Sequence, residues 1–585
     1  MTNGLPGGQE LTEGQMQFVV DFASACDNAW DDMSKPVQER RQHLVILLGQ
    51  GGSGKTHVVQ NIVFPAVQFI WPEDALQVVA SSNAQATNIS TDAVRARTVH
   101  GACAMRVQSL VNPKMRPGQK LASLTRTWDK CMVLVIEECS MISGGLYNML
   151  DFRAMHGRSR THEVYEHTYA QPGCAFGRIP IVIHLGDFLQ LRPTAGISLI
   201  EDLHATDEDG EYIHRDVSLE VQHACRLFKS IRNVFELHGT KRFVPGDPLV
   251  EFLQCMRVGR RMPDSVWAAF ESTFATDGRG LLDPRHAEAK FRHGFGMAMY
   301  WETLARWINS RAQRDARLLG VPLVFCQCFD QCGTMTRDIA ARFLNVYNIH
   351  HTGHMHGVFA AHVGMRVRFT QKISGKLGLV QERRGTIADI VFHPDDAAQY
   401  ARTSAGAIFR PARLPAGFWL QVDNFTQCPI RTELVELGGV EEARARSMFF
   451  LPAVEKECVF ESSDKHVVMR SGFQLTHAQY MTATAAQGQT IRTGVTIDCA
   501  RIEARGNTGM SDGNWWLNLY VMFSRPTKMS DMLLLRPPSR EFLERGPPDS
   551  LKQQLEAFEE KVAATKQRVR GVAADLGFVL PTDHS

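Results

Sequence analysis

No run of apolar residues in this 585-residue chain reaches the length that a membrane-crossing helix needs. Charge of either sign is not in surplus. The 64 Lys and Arg face 62 Asp and Glu, leaving +2 at neutral pH. A globally basic surface is thereby excluded, so any polyanion must be held in a local groove. A disulfide framework is also missing. The 13 cysteines are odd in number and irregular in spacing, and Cys131, Cys326 and Cys499 sit inside apolar runs, where a reduced thiol acts as a small hydrophobe. This pattern suits a reducing compartment. Residues 1–10 show neither a basic-then-apolar secretory pattern nor an Arg-rich transit pattern. Internal repeats and low-complexity segments are absent. The expectation is a soluble intracellular protein without a membrane partner.

The composition, 44% hydrophobic and 22% charged, is that of a globular chain. Its length implies two to four domains. The most informative stretch is residues 43–56, His-Leu-Val-Ile-Leu-Leu-Gly-Gln-Gly-Gly-Ser-Gly-Lys-Thr. An apolar run of strand length meets a glycine-dense turn, and Lys-Thr opens a helix. The spacing G-x-x-x-x-G-K-[ST] is that of a P-loop. Gly49, Gly51, Gly52 and Gly54 let the backbone turn its N–H groups, with those of Gln50 and Ser53, toward one anion. The helix that follows adds its positive dipole end. Lys55 is expected on the β- and γ-phosphates and Thr56 on Mg²⁺, so the cofactors are ATP and magnesium.

Leu44–Leu48, Leu76–Ala80, Met132–Ile136 and Ile179–Leu185 are short, nearly continuous apolar runs. Such runs suit parallel strands buried on both faces. Ligands in open α/β sheets bind at the strands' C-terminal edge. Residues 49–56, 81–83, 137–138 and 186–190 are therefore expected to converge on one crevice. Further along, 321–329, 494–499 and 532–535 suggest a second parallel sheet. Between them Met365, Val367 and Phe369 alternate with polar residues, and 385–392 and 417–423 follow, as in a small inserted β-barrel. In that reading Arg366 and Arg368 lie on the barrel's polar face. From about 548, Leu551, Leu555, Phe558, Val562, Val569, Val572 and Leu576 follow a 4-3 pattern, with a polar gap at Thr565 and a break at Gly571. That helix either packs on its own domain or binds a protein partner.

Val133-Leu-Val-Ile ends in Glu137-Glu138. A P-loop ATPase needs one acid to organise Mg²⁺ and one to polarise the attacking water. Glu137 is assigned to the metal and Glu138 to the water. A second buried strand ends in Gly186-Asp-Phe-Leu-Gln190, where Gln190 can sense the γ-phosphate without titrating. The runs Cys326–Cys332 and His350–His356 gather metal-ligand side chains but lack zinc-finger spacing, so no metal site is assigned there.

Taken in order, these motifs resemble the superfamily 1B DNA helicases of the PIF type, relatives of the RecD-like helicases, across residues 11–537. Leu11-Thr-Glu-Gly-Gln15 is similar to the adenine-reading Q motif, and 49–56 to motif I. Residues 80–86 with Thr98-Val-His-Gly resemble motif Ia, 137–142 motif II and 186–193 motif III. Leu237–Phe243 resembles motif IV, 483–490 motif V and 519–526 motif VI. The chain departs from that pattern at Glu137 (usually Asp), Arg192 (usually Pro), Phe243 (usually Gln), and Ala485 and Ala486 (often Lys and Ser).

The resemblance implies an α/β fold of two RecA-like parallel-sheet domains in tandem, an SH3-like β-barrel inserted in the second, and a C-terminal helix. The implied division is 1–225 for the first domain, with a wedge-like insertion at about 101–130. The second domain would occupy 226–360 and 461–540, the barrel 361–460 and the tail 541–585. The catalytic set would be Lys55, Glu138 and Gln190 from the first domain, with Arg242 and Arg525 from the second. Gln15 and Gly488 would join the P-loop in holding nucleotide. Single-stranded DNA and duplex junctions would be the partners, through Ser82, Asn83, Thr98, His100, Phe188, His477 and Thr484. The implied activity is ATP-driven 5′-to-3′ unwinding by a monomer, in DNA repair, recombination, replication or telomere maintenance. The resemblance implies the nucleus or mitochondrion if the protein is eukaryotic, and the cytoplasm otherwise. Two alternatives stand beside it: a DNA-stimulated ATPase that remodels protein–DNA complexes, and a helicase-derived binding module of a mobile element.

Overall fold

The computed structural model describes residues 11–72, 74–105, 119–158, 174–205, 214, 216–276, 288–332, 336–374, 377–425, 447–461, 465–501 and 510–575. The chain forms two compact units. The first is Met1–Ala269 with Arg505–Lys528 and Ser539–Ser585; the second is Phe270–Ala504 with Met529–Pro538.

The first unit is built on six parallel strands: β1 (His43–Gly49), β2 (Leu76–Ala80), β3 (Arg97–Thr98), β4 (Val133–Glu137), β5 (Ile181–Gly186) and β6 (Asn233–Leu237). Their order is β3-β2-β4-β5-β1-β6. The four apolar runs are all strands of this sheet, and β4 and β5 are buried along their whole length. The register places Ala80 opposite Glu137 and Leu48 opposite Gly186. The C-terminal ends of β2, β4, β5 and β1 therefore lie side by side.

One face is covered by the helix Glu13–Asp31, whose Phe18 and Phe22 join Val45, Leu47, Val135, Ile183 and Phe235 in one core. That helix begins with a capping box. Thr12 Oγ1 accepts from the Gln15 N–H at 3.4 Å, and Gln15 Oε1 accepts from the Thr12 N–H at 3.0 Å. After the P-loop the chain is helical from Lys55 to Ile70, with a π turn at Val59–Val63. Pro65 accounts for the wider turn, because its ring and missing N–H disrupt regular helix just upstream.

The expected boundary at 225/226 cuts ahead of β6, which pairs in parallel with β1. Residues 226–269, with Arg242, belong to the first compact unit. The helix Asp549–Asp575 belongs there too, with Val569 and Ala573 in the core beside Phe18. It runs unbroken through Gly571; Leu576 lies outside the described residues. Thr565, the polar gap in its pattern, is buried against edge strand β6. Its hydroxyl accepts from the Val234 N–H at 3.0 Å and donates to the Arg232 carbonyl at 3.1 Å. A helix thus satisfies backbone groups that an edge strand would otherwise leave open. Most of the expected wedge, 106–118, lies outside the described residues; 119–128 is a helix.

The second unit holds a parallel sheet, β19-β7-β20-β21, from β7 (Phe295–Ala298), β19 (Tyr480–Thr482), β20 (Val495–Asp498) and β21 (Met532–Leu535). The run 321–329 is not part of it. Its strand β8 (Leu323–Gln327) pairs antiparallel with β10 (Val358–Ala361) and parallel with β13 (Ile408–Phe409). A short continuous apolar run marks a buried strand but not its partners.

Where a barrel was expected there is an antiparallel sheet, β15-β14-β12-β11-β18. It comprises β11 (Arg366–Phe369), β12 (Arg384–Val391), β14 (Gly417–Val422), β15 (Met448–Pro452) and β18 (Leu475–His477). Val367, Phe369, Ile387, Phe418 and Leu475 form its core. Among the described residues β15 and β18 are its edges, and β18 lies beyond the expected limit of 460. Strand β16 (Val454–Glu461) instead pairs with β17 (Lys465–Gly472), which pairs with β9 (Phe329–Gln331). Arg366 is exposed on the sheet and paired with Asp423. Arg368 is not on a polar face: it is buried and paired with Glu382. No helix among the described residues is long and apolar enough to cross a membrane.

Candidate active site

The P-loop leaves β1 at Gly49. Gly52 (φ +88°) and Gly54 (φ +92°) take left-handed conformations that disfavour any other residue. Lys55 Nζ folds back over the loop, donating to the carbonyls of Gly49 and, at 3.3 Å, of Gln50. The Q-motif residue Gln15 reaches the loop from the first helix, its Nε2 donating to the Ser53 carbonyl at 3.3 Å. Its other amide atom is engaged in the helix cap, so one glutamine joins a helix start to the phosphate loop.

The strand-end acids sit beside this loop. Thr56 Oγ1 donates to Glu137 Oε1 at 3.4 Å. Burial, then the like charge of Glu138, pushes the Glu137 carboxyl up to about 8, although Lys55 and Thr56 oppose the shift. Glu138 has φ +54° and ψ +53°, a left-handed conformation that costs a non-glycine residue about 1–3 kcal/mol and is characteristic of functional turns. Ser140 Oγ donates to its carboxylate at 3.1 Å. At the end of β5, Gln190 is buried, with Nε2 donating to Asp187 Oδ2 at 3.4 Å.

Among the described residues Glu137 Oε2, Gln190 Oε1 and Ser53 Oγ are buried without a hydrogen-bond partner. Buried polar atoms are ordinarily satisfied. The acid and amide oxygens are acceptors that suit a metal ion or its waters, and the hydroxyl can donate to a phosphate oxygen.

Both arginines lie in the same compact unit as the loop, rather than in the other one as expected. Thr240 Oγ1 donates to the Gly51 carbonyl at 3.1 Å, and the Lys241 N–H donates to the Gly52 carbonyl at 3.0 Å. This clasp lays Arg242 along the P-loop. A Cβ added to Gly51 would lie 2.9 Å from Arg242 Cζ. Arg242 Nη1 also donates to the Ser524 carbonyl at 3.2 Å. Arg525 is fully buried at the end of the helix Asp512–Phe523, its Nε donating to the Val521 carbonyl at 2.8 Å. Burial, then the positive charge of Arg242, lowers it to about 9. Both guanidinium groups feel the charge of Glu138 and Asp187.

The expected DNA-contact residues divide. Ser82 caps the helix Asn83–Ile89, accepting from the Gln85 N–H, and Thr98 likewise caps Val99–Ala102. Both caps and Asn83 are partly exposed, Ser82 and Asn83 just past the end of β2 and Thr98 as the last residue of β3. His100 is half-buried with an unpartnered Nε2. Phe188 is not available as a stacking face. It is 5% exposed and packs against Phe558, ring centroids 5.9 Å apart, and Phe228, 5.8 Å apart. His477 is 2% exposed in the second unit, its Nδ1 accepting from the Gln479 N–H. An aromatic just past a strand end suits a base or a core equally well in sequence; burial decides for the core. Thr484 is exposed, and Gly488 lies nearby in the same unit with φ +78°. Thr240 and Tyr520 lie within the segments that resemble motifs IV and VI but were given no role there, and nothing in the pattern of a single chain marks Arg257.

A glycine cradle at the end of a central parallel strand, with Lys-Thr, paired acids and a sensor amide beside it, defines a P-loop nucleotide-binding unit. Residues 24–244 match the family model described as PIF1-like helicase. It is 25% identical over 293 residues to the ATP-dependent DNA helicase PIF1 of Emericella nidulans, covering 50% of this chain and 33% of that protein. It is 28% identical over 200 residues to the ATP-dependent DNA helicase PIF6 of Trypanosoma brucei brucei, covering 32% and 21%. The chain therefore spans a third or less of these relatives' lengths. In fold it is similar to Bacteroides Pif1 bound to ssDNA (TM-score 0.54, 11% identity, 94% of this chain and 97% of the other). It is similarly close to Bacteroides Pif1 in complex with ADP-AlF3 and ssDNA (TM-score 0.53, 13% identity, 94% and 98%).

Proposed function

We propose that the protein is an ATP-driven DNA helicase that moves along single-stranded DNA, with 5′-to-3′ polarity as in the family it resembles. The observation that carries this reading is the meeting of Arg242 with the P-loop, in a unit that also holds Lys55, Glu137, Glu138, Gln190 and Arg525. Lys55 and the loop N–H groups bind the triphosphate. Thr56 and Glu137 would hold Mg²⁺, which neutralises phosphate charge when bound. Glu138 orients and deprotonates the attacking water, and Gln190 registers the γ-phosphate. Arg242 and Arg525 stabilise charge on the transferring group, a contribution of about 10³–10⁵ in rate for an arginine finger. Loss of the γ-phosphate releases their grip. Ser82, Asn83, Thr98, His100 and Thr484 are the remaining candidates for strand contacts.

The test is ATP turnover with and without single-stranded DNA, alongside strand displacement from a 5′-tailed duplex. Stimulated turnover with displacement is expected, and Lys55→Ala abolishes both while the protein stays folded. Turnover indifferent to DNA refutes a motor. Ala485 and Ala486, where the family often has Lys and Ser, favour a second reading, a DNA-stimulated ATPase that remodels protein–DNA complexes. Stimulation without displacement would select it.

A further inference from the structure

Asp187 sits at a junction between the sensor glutamine and a second group of side chains. Its backbone carbonyl accepts from the Gln190 N–H at 3.1 Å, and its carboxylate takes Gln190 Nε2 at 3.4 Å and the Leu189 N–H at 3.1 Å. The same carboxylate receives Arg257 Nη1 at 3.1 and 3.3 Å. That nitrogen also donates to the Tyr520 hydroxyl at 2.9 Å. Tyr520 is buried on the helix Asp512–Phe523, stacked on Trp516 at 5.4 Å. One residue on, Val521 offers the carbonyl that Arg525 Nε grips. Direct contacts therefore run from Gln190 through Asp187, Arg257 and Tyr520 to the helix that carries Arg525.

We infer that Arg257 is a positioning residue, one that fixes the Gln190 amide and the Arg525-bearing helix relative to each other. The role rests on the ATPase reading above. Arg257 touches neither the P-loop nor the strand-end acids; it acts through Asp187 and Tyr520. Burial alone would weaken its charge, but Asp187 and the Tyr520 oxygen outweigh burial and leave its pKa raised. Asp187, 3% exposed, is thus held by a permanent cation. With the carboxylate fixed, Gln190 Nε2 is fixed, and its unpartnered Oε1 keeps one direction. A lysine would keep the charge but present it on a flexible stem without the rigid guanidinium plane that aims Nη1 at both Asp187 and Tyr520.

The experiment compares Arg257→Gln and Arg257→Lys in the full chain. For Arg257→Gln, DNA-stimulated kcat falls by about 10–100-fold, the scale of a misplaced catalytic group, and KM for ATP stays within about threefold. Arg257→Lys recovers part of the loss. Adding Arg257→Gln to Gln190→Ala lowers kcat no further, because both disable one unit. Multiplicative losses, or an unchanged kcat in a folded Arg257→Gln protein, overturn the inference.

A second readout is amide hydrogen exchange with Mg·ATP as probe, which does not depend on turnover. In the wild type, ATP slows exchange in 186–191 and 512–523 together. In Arg257→Gln it slows only the first. Equal slowing of both segments in that variant overturns the inference even if the wild type proves to have no DNA-stimulated ATPase, which would refute the helicase reading alone.

Discussion

Gly51→Ala separates the role of Arg242 from that of the nucleotide cradle. Gly51 is not in a left-handed conformation, unlike Gly52 and Gly54, so the backbone accepts alanine without strain. The new methyl meets one obstacle, the Arg242 guanidinium, with Cζ at 2.9 Å and Nη2 at 3.1 Å. Carbon atoms rest about 3.5–4.0 Å apart, so Cζ must retreat by roughly 0.6–1.1 Å and Nη1, the nearest atom, by more. Misplacing a catalytic group by ~1 Å costs about 10² in rate, or about 2.7 kcal/mol. Complete loss of an arginine finger costs about 10³–10⁵ and sets the floor. The expected result is turnover at saturating ATP and DNA reduced ~100-fold, with ADP affinity and melting temperature little changed. Gly51→Ala adds nothing to Arg242→Ala, since the second change removes the group that the first displaces. Gly51→Ala turnover within about threefold of wild type, or losses that multiply in the double variant, would refute the placement of Arg242 against the loop.

Phe188→Ala is expected to destabilise the protein by about 3–5 kcal/mol, as a large core truncation does, while leaving single-stranded DNA affinity unchanged well below the melting temperature. Lost affinity without a melting shift would return Phe188 to the DNA groove. Acid should destabilise the second unit through its buried histidines. Burial, then nearby Arg368, lowers His356 to about 4, and burial, then Arg311, lowers His477 to about 3, both from 6.5. Each is neutral when folded, so its contribution is complete above pH 6.5 and is lost as pH falls toward those values, where the unfolded chain binds the extra proton. Urea unfolding from pH 7 to 4 checks this. His356→Asn should flatten the slope in that window, and an unchanged slope would refute it.

Much of the nucleotide site was legible because its chemistry is local. Gly49–Thr56 must bend one way to face an anion, and Glu137, Glu138 and Gln190 each follow a buried strand at once. The corrections concern pairings across long stretches of chain. The apolar run at 321–329 identified a strand but not its sheet. Residues 226–269 carry helical and strand patterns that suit either lobe; only the pairing of β6 with β1 assigns them. Arg366 and Arg368 alternate identically in sequence, yet Asp423 meets one at the surface and Glu382 meets the other inside.

The amino-acid order by itself determined the glycine cradle, the Lys-Thr pair and strand-end acids beside it, the central strands and the amphipathic tail, because short-range backbone sterics and hydrophobic periodicity act within a few residues. Tertiary structure decided which unit holds Arg242 and Arg525, that Phe188 and His477 are core residues, that Thr565 serves β6, and that Asp187 meets Arg257. Those outcomes depend on desolvation and on contacts between residues tens to hundreds of positions apart, which no local pattern encodes.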